Sequence, residues 1–181
     1  MNRAALLLAA CTVALAPPAW PQALPAPAPI SHSNGLEVSN GSATIRVTAL
    51  TDSILRVRVA RGRNFAEDAS WAVPAEVRAR RAKVQTDANG FRTAAMAVRI
   101  DPSTLGLTVT DLQGRTIHAD EAAPLSFDGS RFTLRKAMPV GEQYFGLGDK
   151  TGPFNRRGAS YVHWNTDAWG FDRGTDPIYK S

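Results

Sequence analysis

The chain has 181 residues, of which 44% are hydrophobic and 20% charged, and its formal net charge is +5. This length and composition suit one globular domain with a sizeable core and exclude a chain that is mostly disordered. The positive excess does not by itself indicate nucleic-acid binding, because Arg46, Arg56 and Arg58 alternate with apolar residues. Alternation places them on the solvent face of strands rather than in a concentrated patch, and no nucleic-acid recognition motif accompanies them.

Residues 1–23 are predicted to be a signal peptide. Arg3 precedes an uncharged apolar run over residues 4–16, which is too short to span a bilayer, and Ala23 offers a small residue for cleavage. The one cysteine, Cys11, lies in a Leu-Ala-Ala-Cys sequence that also fits a lipoprotein box, so lipidation at Cys11 stays open as an alternative. We expect a periplasmic or secreted protein with no membrane span, whose mature domain has no disulfide.

Residues 24–34 are predicted to be an extended linker, because Pro and Ala alternate from position 25 to position 29. Such a segment lacks the apolar side chains that a folded core needs. The linker is expected to act as a spacer before the folded domain.

Residues 35–181 are predicted to form an all-β domain, an antiparallel β-sandwich. Over most of this range apolar residues recur at every second position, as in strands with one buried and one solvated face. The alternating sets are Ala43, Ile45 and Val47; Leu55, Val57 and Val59; Met96, Val98 and Ile100; Leu105, Leu107 and Val109; and Phe132 and Leu134. The pairs that predict turns between strands are Asn40-Gly41, Asp52-Ser53, Asn89-Gly90, Asp101-Pro102, Gln113-Gly114 and Asp128-Gly129. Residues 67–83 fit either a short helix or a long exposed loop, and Pro74 argues against one continuous helix.

Motifs for phosphate, metal or nucleophile chemistry are weak in this sequence. Residues 146–151 read Gly-Leu-Gly-Asp-Lys-Thr, but the glycine spacing is wrong for a phosphate loop. The three histidines, His32, His118 and His163, show no metal-ligand spacing, and no Gly-x-Ser-x-Gly elbow occurs. We therefore predict no cofactor and no metal, with the histidines in surface or packing positions.

The segment 144–181 differs from the rest of the chain, because glycines and aromatic residues become dense there. It reads Tyr-Phe-Gly-Leu-Gly-Asp-Lys at 144–150, Arg-Arg-Gly at 156–158, Trp-Asn-Thr-Asp-Ala at 164–168 and Asp-Pro-Ile-Tyr-Lys-Ser at 176–181. The order and spacing resemble glycoside hydrolase family 31, of the α-glucosidase and α-xylosidase type, in which an aromatic-Gly-Leu-Gly strand opens the series. One departure is Asp149, where that family usually has Glu. The resemblance implies a galactose-mutarotase-like sandwich, with 144–181 leading toward a (β/α)8 catalytic barrel that would follow residue 181.

The loop around residue 167 carries the groups that hold sugars. Asn165, Asp167 and Trp169 supply an amide, a carboxylate and an aromatic face within five positions. The resemblance implies that this loop covers the mouth of the barrel and that Asp167 binds the terminal sugar of an α-linked glucoside or xyloside. Without the resemblance, Asp167 is as well explained as a turn carboxylate. Trp164 is expected to pack at the junction with the barrel.

No catalytic residue is predicted in this chain. Enzymes of the resembled family are retaining glycosidases whose two carboxylates, roughly 5–5.5 Å apart, belong to the barrel. We therefore expect an α-glycosidase as the complete protein and an inactive fragment here. A free-standing periplasmic carbohydrate-binding sandwich is the alternative function, and a sandwich without a ligand is the third.

Overall fold

The computed structural model of the chain describes residues 27–148 and 152–163. These ranges contain ten strands and one helical turn, α1, at Ala75–Arg78. The strands are β1 Ile30–His32, β2 Gly35–Ser39, β3 Ala43–Thr51, β4 Ile54–Arg61, β5 Gln85–Thr86, β6 Gly90–Arg92, β7 Met96–Ile100, β8 Leu107–Asp111, β9 Thr116–Asp128 and β10 Arg131–Lys136. No helix within the described ranges is both long and apolar enough to cross a membrane.

The strands form two antiparallel sheets. The first has the order β1-β2-β3-β4 and the second the order β10-β9-β8-β7-β6-β5. Every neighbouring pair is antiparallel and follows the chain order, so each sheet is a meander. The predicted antiparallel β-sandwich is confirmed.

Four of the six predicted turn pairs fall wholly between consecutive strands, and the other two, Asn89-Gly90 and Asp128-Gly129, overlap the start of β6 and the end of β9 by one residue. Asn40-Gly41 shows why such pairs work. Gly41 has a φ of 92°, and the side-chain Oδ1 of Asn40 accepts hydrogen bonds from the backbone N–H groups of Ser42 and Ala43. The side chain thereby satisfies the donors that the reversal of direction leaves without strand partners.

The core lies between β2 and β3 of the first sheet and β6, β7 and β8 of the second. Side chains at alternate positions of β3 and β7, among them Val47 and Val98, are almost fully buried, as the period of two predicts. Phe91 of β6 is the largest of the fully buried side chains. Burial of a side chain of this size contributes about 1.5–3 kcal/mol, so the contact of β2 with β6 is a main source of stability.

The predicted linker 24–34 is wrong in its last five residues. Ile30–His32 is the edge strand β1, which pairs with β2. Asn34, in the turn between them, is buried, and its Nδ2 donates to the carbonyl of Ala49 at 3.0 Å while its own carbonyl accepts from the Ala49 N–H at 2.7 Å. The sequence did not predict this strand, because the Ala-Pro alternation continues to Pro29, directly before Ile30.

The ambiguous range 67–83 contains both predicted alternatives. An irregular segment leads to Pro74, which precedes the single turn of α1. Arg78 holds the irregular segment, because its Nη1 donates to the carbonyls of Ser70 and Val73. A proline at the start of a helix costs little, since the first N–H groups of a helix have no partner within it.

Four apolar residues that the alternation predicts to be buried are exposed. They are Val57 and Val59 of β4 and Phe132 and Leu134 of β10. In the described part of the chain, β4 and β10 are each at an edge of their sheet. Alternation identifies one face of a strand, but burial requires a second layer over that face.

Candidate functional site

The three predicted sugar-binding residues, Asn165, Asp167 and Trp169, lie outside the residues that the structure describes, as do Trp164 and Asp149. The structure does describe the start of their segment, residues 138–148 and 152–163. The geometry of this stretch shows how the residues that precede the predicted loop are held.

Arg157 holds the start of the segment together. Its Nη1 donates to the carbonyls of Pro139 and Glu142, both at 2.8 Å, and its Nη2 donates to the carbonyl of Met138 at 3.3 Å. One guanidinium therefore satisfies three backbone acceptors of a stretch that has no strand partner. Arg157, the second residue of the Arg-Arg-Gly sequence at 156–158, therefore stabilises the backbone of residues 138–142.

Asn155 joins the two halves of the segment. Its Oδ1 accepts the N–H of Tyr144 at 3.1 Å and the N–H of Arg157 at 3.1 Å. The carbonyl of Tyr144 in turn accepts the N–H of Arg156 at 2.7 Å. Residues 144 and 155–157 are therefore held side by side, and the aromatic rings of Phe145 and Phe154 lie 5.0 Å apart between them.

The aromatic-Gly-Leu-Gly sequence is not a strand, although the resemblance implies one. Gly146, Leu147 and Gly148 have φ values of 93°, 68° and 79°, all in the left-handed region. A strand needs negative φ values, and for leucine the left-handed region is strained. The backbone therefore turns sharply at these three residues.

The described part of this segment lacks a carboxylate pair. Residues 138–148 and 152–163 contain one acidic residue, Glu142, and its Oε2 accepts the Tyr144 hydroxyl at 2.7 Å. This hydrogen bond raises the pKa of the Tyr144 hydroxyl, because it stabilises the protonated phenol. A retaining glycosidase needs two carboxylates, and the described residues of this segment hold one, Glu142.

A second polar site lies on the outer face of the first sheet, and the sequence analysis missed it. Arg46 of β3 is directly opposite Arg58 of β4, with Arg56 two positions before Arg58. Together with Arg78 and Arg81 these side chains line one pocket of about 180 Å³. The prediction that the arginines form no concentrated patch is wrong. Antiparallel register brings alternate residues of two strands together, and residues 67–83 fold back over the same face.

The ion pairs of this pocket involve two carboxylates. Asp68 accepts two hydrogen bonds from Arg56, at 2.6 and 2.5 Å. These hydrogen bonds, reinforced by the charges of Arg56, Arg58 and Arg78, lower the pKa of Asp68 to about 2. The second carboxylate is that of Glu37 in β2, which accepts a hydrogen bond from the Nε–H of Arg46 at 2.7 Å.

The sequence profile of the glycosyl hydrolase 31 N-terminal galactose mutarotase-like domain matches residues 44–181. The chain belongs to this family. The match includes the described sandwich from β3 onward and the segment that carries Asn165, Asp167 and Trp169, and it confirms the predicted resemblance to family 31.

Several glycosidases are similar to this domain. The α-glucosidase 2 of Bacillus thermoamyloliquefaciens is 28% identical over 91 residues, which make up 49% of this chain. A dextranase of Flavobacterium johnsoniae, solved in complex with isomaltotriose, is 24% identical and has a TM-score of 0.75 over 86% of this chain. The α-xylosidase of Xanthomonas citri is 20% identical and has a TM-score of 0.54 over 70% of this chain.

The chain is much shorter than these relatives. It spans 12% of the α-glucosidase, 20% of the dextranase and 15% of the α-xylosidase. The two structural similarities establish the fold, and the family 31 domain described here corresponds to a minor part of each enzyme.

Proposed function

We propose that this domain is the N-terminal part of an exported α-glycosidase that acts on an α-linked glucoside or xyloside. The observation that carries the proposal is the family match over residues 44–181, which runs through the segment with the sugar-binding groups. The similarity to an α-glucosidase and to a dextranase solved with isomaltotriose supports carbohydrate as the substrate class. The apolar run at residues 4–16 supports export.

In this proposal the domain supplies one wall of the substrate pocket. Asp167 accepts hydroxyl groups of the terminal sugar, Asn165 adds an amide and Trp169 offers an apolar ring face. An ionised carboxylate makes strong, directional hydrogen bonds to hydroxyl groups. The Arg157 and Asn155 hydrogen bonds support this role, because they fix the backbone eight and ten residues before Asn165.

Bond cleavage belongs to a barrel that follows the domain. Two barrel carboxylates act as nucleophile and as general acid and base, and the product keeps its anomeric configuration. The described residues of the 138–163 segment hold one carboxylate, Glu142, which fits a supporting role. The chain by itself is therefore expected not to hydrolyse aryl α-glucosides, and turnover by a pure preparation would refute the proposal.

The reading frame past the codon for Ser181 separates this function from a free-standing carbohydrate-binding module. Several hundred further residues with barrel carboxylates support the enzyme, whereas a stop codon supports the module. In the complete enzyme, Asp167→Asn should lower kcat/KM by about tenfold or more, since a charged hydrogen bond to the substrate is lost. Asp128→Asn, at the end of β9, is the matched control and should change kcat/KM by less than about twofold.

A further inference from the structure

The pocket on the outer face of the first sheet is built almost entirely from cationic and polar groups. Its volume is about 180 Å³, roughly the space of six water molecules in the liquid. It is lined by His32, Ser33, Asn34, Arg46, Thr48, Arg56, Arg58, Asp68, Arg78 and Arg81. Aromatic side chains are absent from this lining, so the pocket does not offer the ring platform of a neutral sugar site.

Three of the five arginines that line the pocket donate to neutral backbone carbonyls, and two of these three, Arg58 and Arg78, also pair with Asp68. Arg58 donates to the carbonyl of Ala66, Arg78 to the carbonyls of Ser70 and Val73, and Arg81 to carbonyls at 78 and 80. A carbonyl dipole orients a guanidinium without neutralising it. The positions of the cations are therefore fixed before a ligand arrives, which lowers the entropy cost of binding.

The pocket has more positive than negative charge. Five guanidinium groups line it, and their ion pairs within the described residues come from Asp68 and Glu37. Arg46 and Arg58 are direct cross-strand neighbours, and like charges in this position repel each other. The ring of Phe65 lies 4.4 Å from the Arg46 guanidinium and 5.1 Å from that of Arg58, which offsets part of this repulsion.

Partial burial strengthens the effect of these charges. The side chains of Arg46, Arg56, Arg58 and Arg78 are between 16% and 31% exposed, so solvent and salt screen them less than free surface arginines. A bound anion would relieve the mutual repulsion and accept several N–H groups at once.

The geometry points to an anion site in this pocket that takes a tetrahedral oxyanion of the phosphate or sulfate class. The forked N–H groups of arginine match the oxygen spacing of such anions and bind them in pairs. The volume admits one such group, free or attached to a small sugar. The site is built from residues between positions 32 and 81, and the inference stands whether or not the proposed glycosidase function holds.

Isothermal titration calorimetry of the full chain with sodium sulfate and with sodium phosphate, at constant ionic strength and about pH 7.5, tests the site. We expect saturable binding with a dissociation constant of about 1 mM or tighter. Arg81→Gln should weaken binding about tenfold, because a charged donor is removed. Arg81 is an exposed residue with hydrogen bonds to two carbonyls, so this change should leave the fold intact.

Arg99→Gln is the matched control, because Arg99 is an arginine of β7 in the second sheet and lies outside the pocket. It removes the same charge and should change the affinity by less than about twofold. The control also separates binding from the general stabilisation of proteins by sulfate and phosphate. The general stabilisation by salt would be the same in both variants. Equal losses of binding affinity in Arg81→Gln and Arg99→Gln would therefore overturn the inference.

Titrations with glucose 6-phosphate and with glucose distinguish the two sources of the oxyanion. Tighter binding of glucose 6-phosphate than of inorganic phosphate supports a sugar-borne anion, and equal affinity supports the free ion. Absence of saturable binding by sulfate, phosphate and glucose 6-phosphate overturns the inference. If Arg81→Gln fails to fold by circular dichroism, Arg81→Lys, which keeps the charge but loses the fork, should still weaken binding severalfold.

Discussion

Phe91 of β6 and Phe132 of β10 belong to the same sheet, and each is next to an arginine in its strand. Phe91 is 1% exposed and Phe132 is 70% exposed. β6 faces β2 of the first sheet, whereas every residue of β10 is exposed. The difference teaches that alternation marks the face that a strand offers, while the opposite layer decides whether this face is buried.

The end of the second sheet formed by β9 and β10 also contacts the first sheet. Arg61, at the end of β4, donates from Nη1 to the carbonyl of Gly129 in the turn between β9 and β10 at 2.8 Å. Its guanidinium also lies 5.2 Å from the centre of the Phe127 ring. One arginine thus links the two sheets where apolar packing between them is thin.

The largest expected effect is the loss of the Phe91 side chain. Phe91→Ala leaves a cavity between β6 and β2 and should lower the free energy of unfolding by about 3–5 kcal/mol. Phe132→Ala removes the same atoms from an exposed position and should cost less than about 1 kcal/mol. Urea unfolding followed by circular dichroism measures both. Similar losses of unfolding free energy in the two variants would show that β10 is covered in solution. The contrast between Phe91 and Phe132 would then not hold.

A smaller effect is expected at Gly35 of β2, where the two central strands of the first sheet come closest. A Cβ at this position would overlap the carbonyl oxygen of Val47, which belongs to the backbone and cannot swing aside. Gly35→Ala should therefore destabilise the chain by about 1–3 kcal/mol. In the control Gly106→Ala the new Cβ meets the Thr104 hydroxyl at 3.2 Å, and this side chain can rotate. A thermal unfolding temperature for Gly35→Ala equal to that of the control would contradict the prediction.

The smallest effect is expected at Asp101, in the turn between the core strands β7 and β8. The Ser103 hydroxyl and the backbone N–H groups of Thr104 and Ser103 lower the pKa of Asp101 to about 2, from a usual value of 3.8. Because the folded chain prefers the ionised carboxylate, Asp101 stabilises the fold above about pH 4, and this contribution disappears as the pH falls toward 2. The stability difference between wild type and Asp101→Asn should therefore shrink over that interval. Urea midpoints at about pH 5 and about pH 2.5 provide the measurement, and a constant difference would count against the mechanism.

Local patterns in the sequence were enough to predict the sheets. Asn40-Gly41 and Gln113-Gly114 mark hairpin turns through the conformational freedom of glycine, and the apolar alternation identified the inner faces of β3, β7 and β8. These features depend on residues close together in the chain. The family followed from the motifs after residue 144, which the profile match bears out.

The remaining features depend on contacts between distant residues. The arginine pocket needs the register that sets Arg46 against Arg58, and it needs Asp68 and Arg78 to return over the same sheet. The exposure of Val57 and Phe132 depends on which strands face each other. Periodicity along the chain contains neither kind of information. The roles of Asn165, Asp167 and Trp169 stay predictions.

The arginines of β4 have a consequence for solubility. Among the described strands, β4 pairs with β3 alone, so its other edge presents backbone donors and acceptors that a second sheet could capture. If two β4 edges met in antiparallel fashion with Arg56 of one copy opposite Arg58 of the other, two such arginine pairs would lie side by side on the outer face. Repulsion between these like charges would oppose the pairing of two β4 edges. The arginines of β4 therefore disfavour aggregation through this edge.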